Sequence, residues 1–167
     1  MKRNHYIIIL SLLFSLFIYL FYRTERTVVT EIFISIISLD KYTALKKSIT
    51  SGLNLYEFII FSLPEGLWVF CITLASKFKF INIGKREINL VLAPLLFSIG
   101  LEIFQLFHLT NGRFDFLDIG VSILFWAIAN YLIPSENSKQ NLFKPINFES
   151  LVCLICYLIV YLAHVWQ

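Results

Sequence analysis

The sequence predicts an all-α membrane protein: a bundle of five transmembrane helices with an interfacial or re-entrant segment after the first. Hydrophobic residues make up 58% of the 167 residues, charged residues only 15%, and phenylalanine alone occurs 17 times. A soluble domain of this length could not bury that much apolar surface. Five apolar stretches approach the length of about 20 residues that a spanning helix needs: 5–22, 55–75, 88–107, 116–133 and 151–166. Little sequence lies outside them, which predicts a single integral-membrane domain over 1–167.

The first stretch begins like a signal peptide, with Lys2 and Arg3 before an apolar run. That run is about 17 residues long, which exceeds the core of a usual signal peptide. It ends in Phe21-Tyr22-Arg23, without the small residues that a cleavage site requires. We therefore interpret 5–22 as an uncleaved first span.

Basic residues predict the orientation, because short cytoplasmic loops carry an excess of Lys and Arg. The start, the connection 76–87 and the segment 134–150 together hold eight: Lys2, Arg3, Lys77, Lys79, Lys85, Arg86, Lys139 and Lys144. The opposite side holds six: Arg23, Arg26, Lys41, Lys46, Lys47 and Arg113. This distribution predicts a cytoplasmic N-terminus and a C-terminus outside.

The connection 23–54 contains an apolar segment, Thr27–Leu39, that is too short to cross a bilayer. Its apolar and polar side chains fall on separate helical faces, which favours an amphipathic interfacial helix or a re-entrant segment. The following residues, 40–52, are polar and turn-like. We expect them to lie flat on the outer surface, either covering the acidic turn described next or forming a plain linker.

Acidic residues cluster where the third span ends and the fourth begins. Glu102 and Gln105 share one helical face, and Asp115 and Asp118 share another with Ser122. The short connection makes the two helices antiparallel neighbours, so the two polar faces meet near the outer surface. Each ionisable side chain within the bilayer costs roughly 2.5–3.5 kcal/mol on insertion scales, so such residues need partners or have a function.

A third buried acid, Glu65, lies in the middle of the second span, in Leu63-Pro64-Glu65-Gly66. Pro64 removes a helical hydrogen bond and Gly66 adds flexibility, so we expect a break in the helix beside a cavity. The alternative is a packing kink in which Glu65 forms a hydrogen bond with a neighbouring helix.

Three roles are open for these residues. In the first, Glu65, Glu102 and Asp118 bind a hard cation such as Mg²⁺ or Ca²⁺, although nothing in the sequence requires a metal. In the second, these acids are catalytic, as general acid or base, and the substrate is bound by Gln105, Arg113 and Asp115, with the arginine holding an anionic group such as a lipid phosphate. In the third, Arg113 pairs with Glu102 and Asp118 to hold two helices together. Phosphate loops, zinc motifs and basic faces for nucleic acid are missing from the sequence.

The same residues resemble the VanZ-like family of small bacterial membrane proteins. The match runs over Glu102-x-x-Gln105-x-Phe107, then Gly112-Arg113-Phe114-Asp115-x-x-Asp118 and an apolar span, and more loosely over 63–68. Where the family often has Lys-x-x-His-Phe, this chain has Tyr56-Glu57-Phe58, so no role that needs this histidine is expected.

The resemblance implies a protein of the bacterial cytoplasmic (inner) membrane and cell envelope, associated with resistance to glycopeptide antibiotics, especially teicoplanin. An outward-facing acidic site would then bind or act on a lipid-linked envelope component. Two alternatives stay open: a non-catalytic assembly partner whose acids are structural, and a small proton-coupled transporter whose buried acids relay protons. Whether the protein is an enzyme does not follow from the resemblance.

Overall fold

The computed structural model describes residues 2–23, 27–109, 113–134 and 138–164, and most of them are helical. The α-helices are α1 Lys2–Phe21, α2 Val28–Ile37, α3 Leu39–Gly52, α4 Glu57–Ser76, α5 Ala93–Leu106, α6 Phe116–Ala127 and α7 Phe148–His164. A 3-10 turn, Leu90–Leu92, precedes α5, and a π-helical turn, Ile128–Leu132, extends α6. The predicted helical architecture is therefore confirmed, and helices lie within all five predicted spans.

By length and composition, two of the described helices can cross a membrane: Asn4–Phe21 within α1, and α4. The apolar segments Leu90–Leu106, Phe116–Leu132 and Phe148–Leu162 are shorter. Only 33% of the α1 segment is buried, and Leu10 on α1 and Leu96 on α5 are 68% and 66% exposed. Contiguous exposed apolar surface is rare on soluble monomers and is typical of a surface that faces lipid. These findings indicate a membrane protein, and the number of spans stays a prediction.

Helix α4 lies at the centre of the bundle, in contact with α1, α5, α6 and α7. At one end the start of α1 meets the end of the π turn, where Asn4 Nδ2 donates to the Pro134 carbonyl at 3.3 Å. The end of α4 meets α7 there, with Ser76 Oγ 3.1 Å from the Tyr157 hydroxyl. At the opposite end, Tyr22 beyond α1 donates to the Leu53 carbonyl before α4 at 2.7 Å. The helices therefore run alternately between two ends.

A small sheet forms at the first of these ends, which we call the sheet end. Its strands are β1 Lys79–Ile83, β2 Arg86–Asn89 and β3 Gln140–Asn141, in the order β2-β1-β3, with β1 antiparallel to β2 and parallel to β3. The strands lie in or beside the connections 76–87 and 134–150, where the sequence predicts none. Ile88 and Asn89, predicted in the third span, belong to β2 because their pairing with β1 delays the helix. Pro94 then occupies the first turn of α5, where its missing N–H has no cost.

The polar stretch after α2 is also helical, as α3, so the prediction of a turn-like segment is wrong. Tyr42 explains the difference: it is buried, its hydroxyl donates to the Leu20 carbonyl at 2.6 Å, and its ring packs on Phe21 and Phe33. This aromatic contact fixes α2 and α3 against the end of α1. The helix predicted over Thr27–Leu39 is confirmed by α2.

Helix α4 continues through Pro64, so the predicted break is wrong. Gly66 has a different role from the flexibility expected of it. A Cβ atom there would lie 2.5 Å from Val121 Cγ1 and 2.7 Å from Phe125 Cδ2. The absence of a side chain at Gly66 therefore permits the close contact between α4 and α6, as small residues commonly do between membrane helices.

Candidate functional site

A buried polar seam joins the three central helices. Glu65 on α4 is 8% exposed, and it accepts a hydrogen bond from the Ser98 hydroxyl on α5 at 3.1 Å. Ser98 Oγ also lies 2.8 Å from Ser122 Oγ on α6. Both serines are completely buried, so these hydrogen bonds satisfy polar groups that water cannot reach. The predicted alternative for Glu65, a hydrogen bond with a neighbouring helix, is what the structure shows.

Asp118 continues the seam toward the end of the bundle opposite the sheet, which we call the acidic end. It is half-buried in the first turn of α6 and forms a hydrogen bond with the buried Ser62 of α4. Its Oδ1 atom is enclosed and accepts no hydrogen bond from the residues that the structure describes. Ser62 lies one helical turn before Glu65, so α4 presents both groups on the same face.

Glu102 completes the group of acids from α5. It is 3% exposed, close enough to Asp118 and Glu65 for electrostatic repulsion, and its Oε2 accepts the backbone N–H of Asp115 at 2.9 Å. The three carboxyl groups predicted to be catalytic thus come together from three different helices. So many buried carboxyl groups cannot all be ionised without a counter-charge, which can be a proton, a basic side chain or a bound cation.

The three residues predicted to bind substrate lie at the edge of this group. Asp115 is exposed, and its Oδ1 accepts the N–H of Leu117 at 2.8 Å, as the N-cap of α6. Gln105 is half-buried near the end of α5. Arg113 is exposed, and it forms no ion pair within the described part of the chain. The predicted pairing of Arg113 with Glu102 and Asp118 is therefore not present among these residues.

A different arginine lies near Asp118. Arg23, just after α1, is close enough to that carboxyl for electrostatic attraction. Its guanidinium carbon lies 5.0 Å from the centre of the Tyr19 ring and 5.4 Å from that of Phe61, and its Nη2 donates to the Phe61 carbonyl at 3.0 Å. Cation–π contacts of this kind hold a guanidinium in place where water is partly excluded.

Three further residues beside the acids, Arg23, Ser62 and Ser98, were not predicted from the sequence as part of the site. Each serine lies one helical turn from an acid, as Ser62-x-x-Glu65 and Ser98-x-x-x-Glu102, and Ser122 has the same relation to Asp118. That spacing was a usable signal, because it aligns a hydroxyl with each carboxylate on one helical face. Arg23 carried no local signal, since it is far from the acids in the sequence.

The seam ends within the bundle on the side toward the sheet. Gly66 packs there against Val121 and Phe125, and Phe70 contacts Phe125 edge-on. Trp68 and Val69 are buried in the apolar core beside them. Among the described residues, no group of three or more His, Cys, Asp or Glu side chains is spaced to hold a metal ion.

No protein-family model, curated protein or solved structure matches this chain. The resemblance to the VanZ-like family therefore stays a prediction, and the arrangement of Glu65, Glu102 and Asp118 is what points to a site.

Proposed function

We propose that the chain is a five-span, VanZ-like protein of the bacterial cytoplasmic membrane, with the sheet end in the cytoplasm and the acidic end at the outer leaflet. The alternating helix directions and the exposed apolar side chains support this arrangement. The connections at the sheet end also hold the larger set of basic residues, as in cytoplasmic loops.

At the outer leaflet, the acidic end binds or acts on a lipid-linked envelope component, with teicoplanin resistance as the expected phenotype. The observation that supports this function is the convergence of Glu65, Glu102 and Asp118 from three helices. Helices can be held together without burying three acids, so the cluster favours a ligand or a proton-transfer role.

The competing proposal is a non-catalytic assembly protein, and one observation favours it. Glu102 accepts the Asp115 amide, and Asp115 caps α6, so both residues also shape the connection between α5 and α6. Proton-coupled transport has less support, because the α4–α6 contact on the sheet side of the seam is apolar at Val121 and Phe125.

Glu102→Gln separates the two proposals, because glutamine keeps an oxygen that can accept the Asp115 amide but removes the acid. If the acid is functional, teicoplanin resistance is lost in cells that produce the protein, while its amount in the membrane and its melting temperature in detergent stay near wild type. Glu57→Gln is the matched control, because Glu57 is an exposed acid in the first turn of α4. Unchanged resistance in Glu102→Gln would support the assembly role.

Reporter fusions test the orientation independently. A reporter active only outside the cytoplasm should be active after Gln167 and inactive in the connection between β1 and β2. Cytoplasmic activity after Gln167 would contradict the arrangement of the five spans.

A further inference from the structure

We infer that the hairpin of β1 and β2 at the sheet end lies against the lipid headgroups beside it, and that Lys85 and Arg86 at its tip bind anionic phospholipid. The inference rests on the membrane arrangement proposed above and not on the acidic site. One face of the hairpin is apolar, its tip is basic, and its base lies beside aromatic side chains of the kind found at membrane surfaces. These features together fit a lipid surface.

The register of the hairpin sorts its side chains onto two faces, because side chains alternate along a strand and directly paired residues share a face. Ile81 pairs with Ile88, and Ile83 pairs with Arg86. Three isoleucines and one arginine therefore share a face, which we call the isoleucine face. Ile83 is 59% exposed and Ile88 is 44% exposed, so the helices leave much of this apolar face uncovered.

The isoleucine face is turned toward the helices. Lys79 begins β1 two residues before Ile81, on the same face, and it is buried. Lys139 lies on the opposite face, where its Nζ is 4.9 Å from the centre of the Phe80 ring and pairs with Glu87. The face that meets the bundle at Lys79 therefore continues outward past the helices, over the region that a surrounding bilayer would occupy.

Aromatic side chains mark the depth at which the hairpin begins. Trp126, in the last turn of α6, donates from Nε1 to the Val91 carbonyl at 2.9 Å, and its ring contacts the exposed Tyr131 edge-on. Tryptophan and tyrosine are enriched at the boundary between membrane and water. Val91 lies two residues beyond β2, and the exposed Leu92 and Leu96 follow it toward and along α5. The hairpin therefore joins the lipid-facing surface at headgroup depth.

The tip of the hairpin supplies positive charge. Lys85 and Arg86 are exposed, and Gly84, with a φ of 61°, permits the tight turn before them. Both side chains donate hydrogen bonds to phosphate oxygens, and a guanidinium can do so in a bidentate manner. Apolar side chains beside basic ones are typical of segments that lie in the interface of an anionic membrane. A second copy of the chain is a poor occupant, because two basic tips would repel each other.

Spin labelling of the full-length protein in lipid nanodiscs tests the depth of the isoleucine face. Ile83→Cys and Asn82→Cys place a nitroxide at adjacent exposed positions on opposite faces, and the three native cysteines are buried. Oxygen concentrates in lipid, whereas a neutral nickel chelate stays in water. The ratio of oxygen to nickel collision rates should be higher at position 83 than at position 82, by about twofold or more.

Two results at position 83 would overturn the inference. A ratio equal to that at position 82, with nickel reaching both labels, would show that the isoleucine face lies in water. Low collision rates with both reagents would show that protein covers it, either a second copy or another partner.

Lipid composition tests the basic tip. Adding phosphatidylglycerol to phosphatidylcholine nanodiscs should raise the ratio at position 83, because anionic headgroups attract the tip. Lys85→Gln combined with Arg86→Gln should abolish this rise. Lys41→Gln combined with Lys47→Gln is the matched control, since it removes two exposed charges from α3 and should retain the rise.

A rise that persists without the two basic residues of the tip, or that is lost equally in the control, would overturn the binding of anionic lipid. The proposed function fails on a different measurement, the resistance of Glu102→Gln cells, so the two outcomes are distinguishable.

Discussion

The acidic end and the sheet end of the bundle both bury charged groups, but they neutralise them differently. At the sheet end, the half-buried Lys77 and the buried Lys79 both donate hydrogen bonds to oxygen atoms. Lys77 donates to the carbonyls of Asn130 and Ile133, each at 2.7 Å, and Lys79 donates to Gln140 Oε1 at 2.7 Å. His5 lies 3.6 Å from Glu149, and Lys139 pairs with Glu87. These contacts cap a helix end and join strands, which is a structural use of charge.

At the acidic end, the buried ionisable groups are acids that lie close to one another. Glu65, Glu102 and Asp118 lie together, and Arg23 is close enough to Asp118 for electrostatic attraction. Burying a charge is costly unless it is neutralised, so carboxyl groups gathered in this way need a proton, a basic side chain or a bound cation nearby. The acidic end is therefore the better candidate for a functional site, and the sheet end for a structural use of charge.

The largest loss of stability is expected from a substitution at Gly66, where α4 and α6 are in close contact between the two ends of the bundle. Gly66→Ala adds a methyl group within 2.5 Å of Val121 Cγ1 and 2.7 Å of the Phe125 ring, neither of which can move freely in the packed interface. Overpacking of this kind costs about 1–3 kcal/mol, which should lower the melting temperature in detergent by several degrees. It should also separate the Glu65 and Asp118 sides of the seam.

Gly120→Ala is the control, since a Cβ atom at Gly120 would meet nothing within 4 Å. Alanine is favoured over glycine in helices, so this variant should be as stable as wild type or slightly more stable. Equal melting temperatures for the two variants would show that the close approach of α4 and α6 is not required.

A smaller change in melting temperature is expected at Asp115, where two substitutions distinguish helix capping from ligand binding. Loss of an N-cap side chain costs about 0.5–2 kcal/mol, so Asp115→Ala should melt at a lower temperature than wild type. Asp115→Asn keeps an oxygen for the Leu117 amide and is expected to melt near wild type and to retain teicoplanin resistance. Resistance lost in Asp115→Asn at normal protein level would instead show that the carboxylate binds a ligand, as the sequence predicts.

Local apolar patterning made the helices predictable, because each apolar stretch can be recognised within about 20 residues. The sheet has no such local signal, because β1 pairs with β3, some 60 residues later in the chain, through only two residue pairs. The acids were predictable because a carboxylate in an apolar stretch is rare. Ser62 and Ser98 carry only the weaker signal of their spacing from Glu65 and Glu102, because serine is common in such helices. Arg23 approaches the site only through the packing of α1 on α4.

The smallest expected change is in the pH dependence of stability, and it comes from the lysines of the sheet end at alkaline pH. Burial lowers the pKa of Lys77 and Lys79 below the ordinary value of 10.5. Between the lowered pKa in the folded protein and 10.5, the unfolded chain binds more protons than the folded one, so the free energy of unfolding rises with pH. Below that window the cost of burying the charged lysine is fully present, and above 10.5 the difference is constant.

Lys79→Met removes one of these titrations, so its melting temperature should rise less between pH 8 and 10.5 than that of wild type. The expected difference is modest, because the proximity of Glu149 partly offsets the effect of burial on Lys79. Lys85→Met controls for the loss of one positive charge, since Lys85 is exposed in the turn between β1 and β2. If Lys79→Met and wild type have parallel pH profiles, the Lys79 ammonium is not desolvated, and the contrast between the two ends of the bundle is weaker than the contacts indicate.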